Sequence, residues 1–132
     1  MIRGVRGATT VTQDRPDEIE RAVHELLAQM TKLNDLDPED LAAAFFSVTP
    51  DLRSCYPAKG ARTFGWHYVP LLDVREADGD PDAALQRCIR VLLLWNTEKP
   101  ARSIRHVYLH EAQCLRPDLK GPDWEKGLAP VS

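Results

Sequence analysis

The 132-residue sequence predicts an α+β fold, a five-stranded mixed sheet with one long helix and two or three short helices. One long segment has apolar residues at helical spacing, and five shorter segments have the length and composition of strands. The helical segments are too few to cover both faces of such a sheet. We therefore expect the second face to pack against other copies of the chain.

Residues 16–33 have the clearest helical pattern in the chain. Pro16 suits the first turn of a helix, and Asp14 or a neighbouring residue is expected to cap it. Apolar side chains recur at i, i+3, i+4 and i+7, and charged ones fall on the outer face. The apolar positions are Ile19, Ala22, Val23, Leu26, Leu27, Met30 and Leu33. This one-sided pattern is typical of a helix that lies on a flat surface.

The predicted strands differ in how clearly the sequence defines them. In residues 1–11, alternation places Arg6 opposite Val5, and the glycines indicate a twisted strand or a close backbone approach. Residues 41–48 are continuously apolar, which is typical of a buried strand, and residues 87–96 form the strongest predicted strand. The remaining two predicted strands are 66–74, interrupted at Pro70, and 105–110.

The segments between the strands predict short helices, turns and loops. Pro57 suits the first position of a short helix within residues 56–64. Residues 1–120 are expected to form a single domain, followed by a flexible tail at 121–132 that contains Gly and Pro. Other predicted segments are helical turns at 37–40 and 101–104, an acidic loop at 77–83 and a chain reversal at 112–119.

Charge, hydropathy and cysteine content argue against several classes of protein. A net charge of -3 and a pI near 5.8 disfavour nucleic-acid binding, which usually needs a basic face. No apolar run reaches the roughly 18 residues that span a bilayer, and the N-terminus lacks a secretory signal, so no membrane association is expected. Three cysteines are an odd and sparse set, typical of reduced thiols in a cytoplasmic protein.

The sequence has few signatures of common catalytic sites. It contains no GxSxG, phosphate loop, HExxH or dinucleotide fingerprint. His106, His110 and Cys114 are spaced four residues apart, a pattern that could hold zinc on a helix. Because His106 falls in a predicted strand and no CxxC pair is present, ordinary polar packing is favoured and no metal is predicted.

Arginine inside predicted strands is the most informative feature. Burying a guanidinium without a partner is costly, so Arg90 forms either a structural ion pair, for example with Glu76, or a ligand site. Arg6 in a second strand favours an anion site, because arginine binds a carboxylate bidentately and stays charged when desolvated. Residues whose ordinary interpretation is core packing or surface charge are Tyr108, Lys59, Arg62 and Arg116.

Six groups of residues, in this order and nearly this spacing, resemble the AroH-class chorismate mutases. They are RGVRGATTV at 3–11, TPDL with YPAKGAR within 49–62, VPLL with DVRE at 69–76, CIRVLLLWNT at 88–97, RHVYL at 105–109 and LRPDL at 115–119. Each motif alone is weak, but six in order are a strong indication. The resemblance covers about residues 1–119 and implies a homotrimeric pseudo-α/β barrel, distinct from the all-helical class.

The resemblance also implies an activity. Enzymes of this class convert chorismate to prephenate in a concerted [3,3] rearrangement, on the route to phenylalanine and tyrosine. No proton is transferred, no covalent intermediate forms and no cofactor is required, which agrees with the missing nucleophile signature. Such a reaction needs a folded substrate and stabilisation of the charge that develops as the ether bond breaks. The resemblance further implies that each site is shared between neighbouring subunits.

Matching motif positions imply a role for each residue. Arg90 resembles the cation beside the ether oxygen, which also holds the side-chain carboxylate. Arg6 and Tyr108 resemble carboxylate anchors, and Glu76 resembles the carboxylate that faces the ring hydroxyl. The apolar walls would be Tyr56, Ala58, Leu71, Leu72 and Leu115, and the charged rim of the mouth would be Lys59, Arg62 and Arg116.

The sequence departs from the family pattern at two places. Asp73 is a wall position where a small Cys- or Ser-like residue is expected, and its carboxylate would repel a dianion unless protonated or bonded to the substrate hydroxyl. The stretch from Glu76 to Arg90 is slightly longer than in the pattern, which a loop tolerates. Two alternatives are a trimeric imine deaminase of the Rid type and a non-catalytic trimer that binds aromatic carboxylates; the motif order and the set of site residues disfavour both.

Overall fold

The computed structural model describes residues 1–77 and 85–116. The strands in this part of the chain are β1 (Ile2–Thr10), β2 (Leu41–Val48), β3 (Leu71–Arg75), β4 (Cys88–Asn96) and β5 (Val107–Tyr108). The α-helices are α1 (Pro16–Asn34) and α2 (Pro57–Phe64). Short 3₁₀ turns occupy Pro38–Asp40, Ala101–Ser103 and His110–Leu115.

The strands form one mixed sheet in the order β3-β2-β4-β1-β5. The central strand, β4, runs antiparallel to both β1 and β2, whereas β3 is parallel to β2 and β5 is parallel to β1. The predicted five-stranded mixed sheet is therefore confirmed. Because β4 has a strand on each side and helices over one face, most of its side chains are buried or half-buried, which explains why its sequence is mostly apolar.

Both helices pack on the same face of the sheet, which we call the helix side. On this side α1 buries Ile19, Val23, Leu26, Leu27 and Met30 completely. Two glycines allow the close packing, because a Cβ on Gly7 would lie 2.5 Å from the sulfur of Met30. A Cβ on Gly60 of α2 would lie 2.9 Å from Cβ of Val23. The close backbone approach expected in the first strand therefore occurs at Gly7.

The opposite face of the sheet, which we call the open face, carries no α-helix in residues 1–77 and 85–116. Leu72, Val74 and Leu92 on this face are 53%, 45% and 38% exposed. The strand register pairs Leu72 with Phe45 of β2 and Phe45 with Leu92 of β4, so the exposed Leu72 and Leu92 lie on either side of the half-buried Phe45. Among the described residues, the His110–Leu115 turn covers the β5 end of the open face, where it packs over Ala8.

Most predicted elements agree with the structure to within about one residue at each end, and the N-cap position of the long helix is the neighbour of Asp14 rather than Asp14 itself. The N-cap of α1 is Arg15, which makes no side-chain cap. Asp14 instead accepts hydrogen bonds from the backbone N–H groups of Arg53 and Ser54, at 3.1 Å each, and from the Ser54 hydroxyl at 2.7 Å. These bonds lower the pKa of Asp14 and fix the segment that leads into α2.

Two predicted strands are too long. The strand predicted at 66–74 begins only at Leu71, directly after Pro70, which cannot donate to a ladder. The strand predicted at 105–110 shortens to β5, because the chain leaves the extended conformation at His110, whose φ is 53°. Most of the predicted acidic loop, the end of the reversal at 112–119 and the predicted tail lie outside the described residues.

Candidate active site

Arg90 lies on the open face of β4, directed away from the helices by the alternation of the strand. Its Nε is 2.6 Å from Oε1 of Glu76, which follows β3. Nε has no aligned hydrogen-bond partner among the described residues, so the contact is an ion pair rather than a hydrogen bond. The hydroxyl of Ser47 on β2 lies 3.5 Å from the same carboxylate oxygen. The ion pair that the sequence allowed for Arg90 is therefore present, on a face that is open to a ligand.

Tyr108 lies on the same face, two strands from Arg90. Ala8 of β1 is paired with Arg90 on one side and with Tyr108 on the other. Tyr108 is 5% exposed, and its hydroxyl has no hydrogen-bond partner in the described part of the chain. Leaving a buried hydroxyl unpaired costs about 1–3 kcal/mol, so a polar ligand atom at this position would be favoured. Leu115 packs beside this group.

Cys88 is the buried neighbour of these polar groups. Burial raises the pKa of its thiol to about 11, although the adjacent Arg90 partly opposes this shift. The thiol therefore stays protonated at neutral pH and adds no negative charge near Arg90.

Two further predicted residues, Arg6 and Arg116, lie close to one histidine at the β5 edge. Arg6 is exposed, and its backbone N–H donates to Nδ1 of His106 at 3.0 Å. The pKa of His106 is lowered mainly by burial, and then by the positive charges of Arg116 and Arg6. We define the open-face cluster as Arg6, Glu76, Arg90, Tyr108, Leu115 and Arg116.

A second group of predicted residues surrounds the N-terminus of α2. Asp73 of β3 points to the helix side, as does its register partner Phe46, which is fully buried. Oδ1 of Asp73 accepts the backbone N–H of Ala58 at 3.0 Å. Burial raises the pKa of Asp73, and the bond to Ala58 and the charge of Arg62 partly oppose that shift. We define the α2 cluster as Tyr56, Ala58, Lys59, Arg62 and Asp73.

A cleft of about 340 Å³ adjoins the α2 cluster and is lined by Tyr56, Pro57 and Asp73, among others. Neither Arg90 nor Glu76 lines it. A larger cleft of about 560 Å³ lies between β1, α1 and the His110–Leu115 turn and contains none of the predicted site residues. Neither of these two clefts is lined by residues of both groups.

The wall residues Leu71 and Leu72 show how the sheet divides the site. Leu71 is partly buried against the helix-side core, whereas its neighbour Leu72 is exposed on the open face. The open-face cluster and the α2 cluster are separated in the same way. All the predicted site residues are described, and the structure divides them between two regions: the open face with the turn that ends at Leu115, and the surroundings of the α2 N-terminus on the helix side.

Sequence reasoning missed the residues that hold the start of β4. The carboxylate of Asp51 accepts the backbone N–H of Arg87 at 2.9 Å, and the Thr49 hydroxyl accepts that of Cys88 at 3.0 Å. Arg87 has a φ of 48°, a strained conformation that these bonds stabilise. The network ends two residues before Arg90. The Thr-Pro-Asp turn is the sequence signal that could have identified this network, because short polar side chains such as Thr and Asp often form hydrogen bonds with nearby backbone groups.

The possible zinc ligands do not form one site. His106 accepts the N–H of Arg6, Nε2 of His110 is 2.7 Å from the carboxylate of Glu25, and Cys114 is exposed. Within residues 1–77 and 85–116, no three His, Cys, Asp or Glu side chains are arranged to hold a metal. No helix in these ranges is long and apolar enough to cross a membrane.

These features define a small α+β protein that carries arginine, carboxylate and tyrosine groups on an open sheet face. Residues 2–119 match the family model of the type I chorismate mutases. The chain is 51% identical over 121 residues to a chorismate mutase AroH from Thermus thermophilus, covering 91% of this chain and 98% of that protein. It is 44% identical over 120 residues to the AroH of Bacillus subtilis (strain 168), covering 90% and 93%.

A solved chorismate mutase from Clostridium thermocellum superposes with a TM-score of 0.81 at 39% identity, covering 85% of this chain and 98% of that one. The chain therefore belongs to the type I chorismate mutase family. The family resemblance inferred from the six motifs is confirmed. The comparisons give no support to an imine deaminase of the Rid type.

Proposed function

We propose that the protein converts chorismate to prephenate, in the biosynthesis of phenylalanine and tyrosine, as a cytoplasmic homotrimer. Membership of the chorismate mutase family supports the activity. The observation that carries the proposed site is the open-face cluster, where the Arg90–Glu76 ion pair lies on the same face as a buried, unpaired Tyr108 hydroxyl. Arginines beside it supply the charge that a dianionic substrate requires.

The reaction does not require the protein to form a covalent bond with the substrate. One carbon–oxygen bond breaks and one carbon–carbon bond forms within a single substrate molecule, and no proton is transferred. Catalysis then depends on holding the substrate in a reactive chair and on stabilising the negative charge that grows on the ether oxygen. A protein with fixed cations and no nucleophile signature can supply both.

Each member of the open-face cluster then has a distinct role. Arg90 faces the ether oxygen and stabilises the charge that is greatest in the transition state. Its ion pair with Glu76 holds the guanidinium in place, while the Glu76 carboxylate also faces the ring hydroxyl and complements positive charge on the ring. Arg6 and Tyr108 anchor a substrate carboxylate, and Arg116 and Leu115 close the site at the β5 end.

The α2 cluster of one chain completes the open-face cluster of its neighbour. The sheet separates the two clusters within a chain, so a neighbouring copy is needed to combine them. The exposed side chains of Leu72, Val74 and Leu92 support this arrangement, because exposed apolar surface on one sheet face is typical of subunit interfaces. A closed trimer would bury this surface three times and form three equivalent sites. Lys59 and Arg62 would then lie at the mouth and attract the dianion.

The test combines turnover with mass. Purified protein is incubated with chorismate, and the loss of its ultraviolet absorbance is followed together with prephenate formation. Light scattering during size-exclusion chromatography measures the mass of the active species. We expect turnover by a species of three times the 14.9 kDa chain mass. A trimer without turnover would refute the activity, and an active monomer would refute the shared site.

A further inference from the structure

His106 replaces a backbone acceptor at the edge of the sheet. In a regular parallel ladder, the N–H of Arg6 would bond to the carbonyl of Arg105, two residues before the bonds around Ala8. That carbonyl instead accepts Nδ2 of Asn34 at 2.9 Å. The N–H of Arg6 donates to Nδ1 of His106 at 3.0 Å. The imidazole therefore continues the hydrogen bonding of β1 beyond the start of β5.

The buried Asn34 is the reason why the ladder ends here. Asn34 is 1% exposed, and its Oδ1 accepts the backbone N–H of Arg105 at 2.8 Å while its Nδ2 donates to the Arg105 carbonyl. Both backbone groups of Arg105 are thus directed to the end of α1 rather than to β1. The side chain of the next residue, His106, is left as the acceptor for Arg6.

This geometry fixes the protonation state of the ring. Nδ1 accepts a hydrogen bond only when it carries no proton, so the imidazole is neutral and its proton is on Nε2. Burial and the two nearby cations, Arg116 and Arg6, lower the pKa of His106. These cations lie on β1 and after the His110–Leu115 turn, and no carboxylate of the described residues contributes to the shift. The acceptor is therefore retained at neutral pH.

We propose that His106 is a positioning residue, whose Nδ1 fixes the backbone of Arg6 so that its guanidinium is directed at a substrate carboxylate. The inference rests on the proposed anchor role of Arg6. Arg6 has a long, exposed side chain at the sheet edge, and a small rotation of its backbone would displace the guanidinium far more than the backbone itself. Because Arg6 acts as an anchor that holds the substrate, we expect such a displacement to weaken substrate binding and to appear in KM rather than in kcat.

Steady-state kinetics of three variants test the positioning role. His106→Ala removes the acceptor, and we expect KM for chorismate to rise about tenfold with little change in kcat, on the scale of one hydrogen bond. His106→Asn restores an acceptor near the position of Nδ1 and should return KM close to the wild-type value. His67→Asn, at an exposed histidine, is the matched control and should change neither constant. Equal KM values for His106→Ala and the wild type would overturn the proposal.

A double-variant cycle separates this inference from the proposed function. Arg6→Ala alone should raise KM, and adding His106→Ala to it should raise KM no further, because the residue being positioned is gone. If Arg6→Ala leaves KM unchanged, the anchor role of Arg6 fails. If Arg6→Ala raises KM and the effect of His106→Ala simply adds to it, then His106 acts through something other than Arg6 and the positioning role fails.

The ring itself provides a readout that does not depend on activity. Nitrogen-15 NMR of the full-length protein at neutral pH should show a neutral His106 imidazole with the proton on Nε2 and none on Nδ1. The assignment follows from the signal lost in His106→Asn. A proton on Nδ1, or a charged ring at neutral pH, would overturn the proposal.

Discussion

The open-face cluster and the α2 cluster each contain an acidic side chain, but the two carboxylates have different partners. Glu76 forms an ion pair with Arg90 on the face that is open to a ligand. Asp73 accepts a backbone N–H of α2 on the helix side, where a negative charge suits the positive end of the helix. The comparison teaches that position in the sequence alone does not give the role of a carboxylate. Asp73, expected to repel a dianion, is already bonded to the protein.

The largest expected effect comes from Arg90 in the open-face cluster. Arg90→Lys keeps the charge but loses the planar set of N–H donors, and we expect kcat to fall by at least roughly a hundredfold. Circular dichroism checks that the fold is retained. The matched control is Arg102→Lys, an exposed arginine in the Ala101–Ser103 turn, which should remain fully active. Wild-type kcat in Arg90→Lys would show that Arg90 has only the structural role of pairing with Glu76.

The second prediction tests whether the two clusters belong to one site. Arg90→Ala is impaired in the open-face cluster, and the double variant Lys59→Ala, Arg62→Ala is impaired in the α2 cluster. If the two variant proteins are unfolded and refolded together in equal amounts, their chains should combine at random into trimers. About a quarter of the sites in these trimers should then contain both an intact open-face cluster and an intact α2 cluster. Activity of the mixture should therefore greatly exceed that of either variant. No gain in a mixture shown by mass spectrometry to contain mixed trimers would contradict a shared site.

The sequence predicted the elements of the fold better than the assembly of the site. Periodicity located α1 and β4 to within about one residue, because apolar side chains there face a single core. The strand alternation also placed Arg6 opposite Val5. By contrast, the separation of Leu71 from Leu72 and of Asp73 from Glu76 depends on which strands pair and in which register. Strand pairing and register depend on contacts between distant segments of the chain, which local sequence patterns do not predict.

The same limit explains why Asp14 does not cap α1 and why the role of His106 was missed. Asp14 has the residue type of a helix cap, but it bonds to Arg53 and Ser54, which are about forty positions away. His106 was interpreted as an ordinary polar residue, because its bond to Arg6 requires β5 to end where Asn34 engages Arg105. In both cases, the polar side chain forms its hydrogen bond with a segment that is distant in the sequence.

A smaller effect is expected for Tyr108. Tyr108→Phe removes a buried hydroxyl that has no partner in the described residues, so the empty protein should lose little stability or even gain some. If the hydroxyl binds a substrate carboxylate, KM should rise about tenfold, the cost of one hydrogen bond to a charged group. Thermal melting and steady-state kinetics measure the two effects. A large loss of melting temperature with unchanged KM would assign Tyr108 to the core alone.

The smallest effect on turnover and stability is expected when the Asp73 carboxylate is replaced by the neutral amide of asparagine. Burial raises the folded-state pKa of Asp73 above its usual value of 3.8, so its ionisation costs more in the folded protein than in the unfolded one. At pH below 3.8 the carboxyl is protonated in both states and the cost is absent. The cost develops as the pH rises through the unfolded-state and then the folded-state pKa, and it is fully present at neutral pH.

Asp73→Asn keeps an oxygen acceptor for the N–H of Ala58 but cannot ionise. Its melting temperature relative to wild type should therefore increase from pH 4 to pH 7, a range in which differences caused by other groups cancel between the two proteins. Turnover should be retained or improved, and Asp73→Cys should behave similarly, because neither variant places a negative charge near a dianion. A pH-independent difference in melting temperature would mean that the carboxyl is solvated. A collapse of turnover in both variants would mean that Asp73 contacts the substrate across the subunit boundary, which would make it part of the chemistry rather than of the α2 framework.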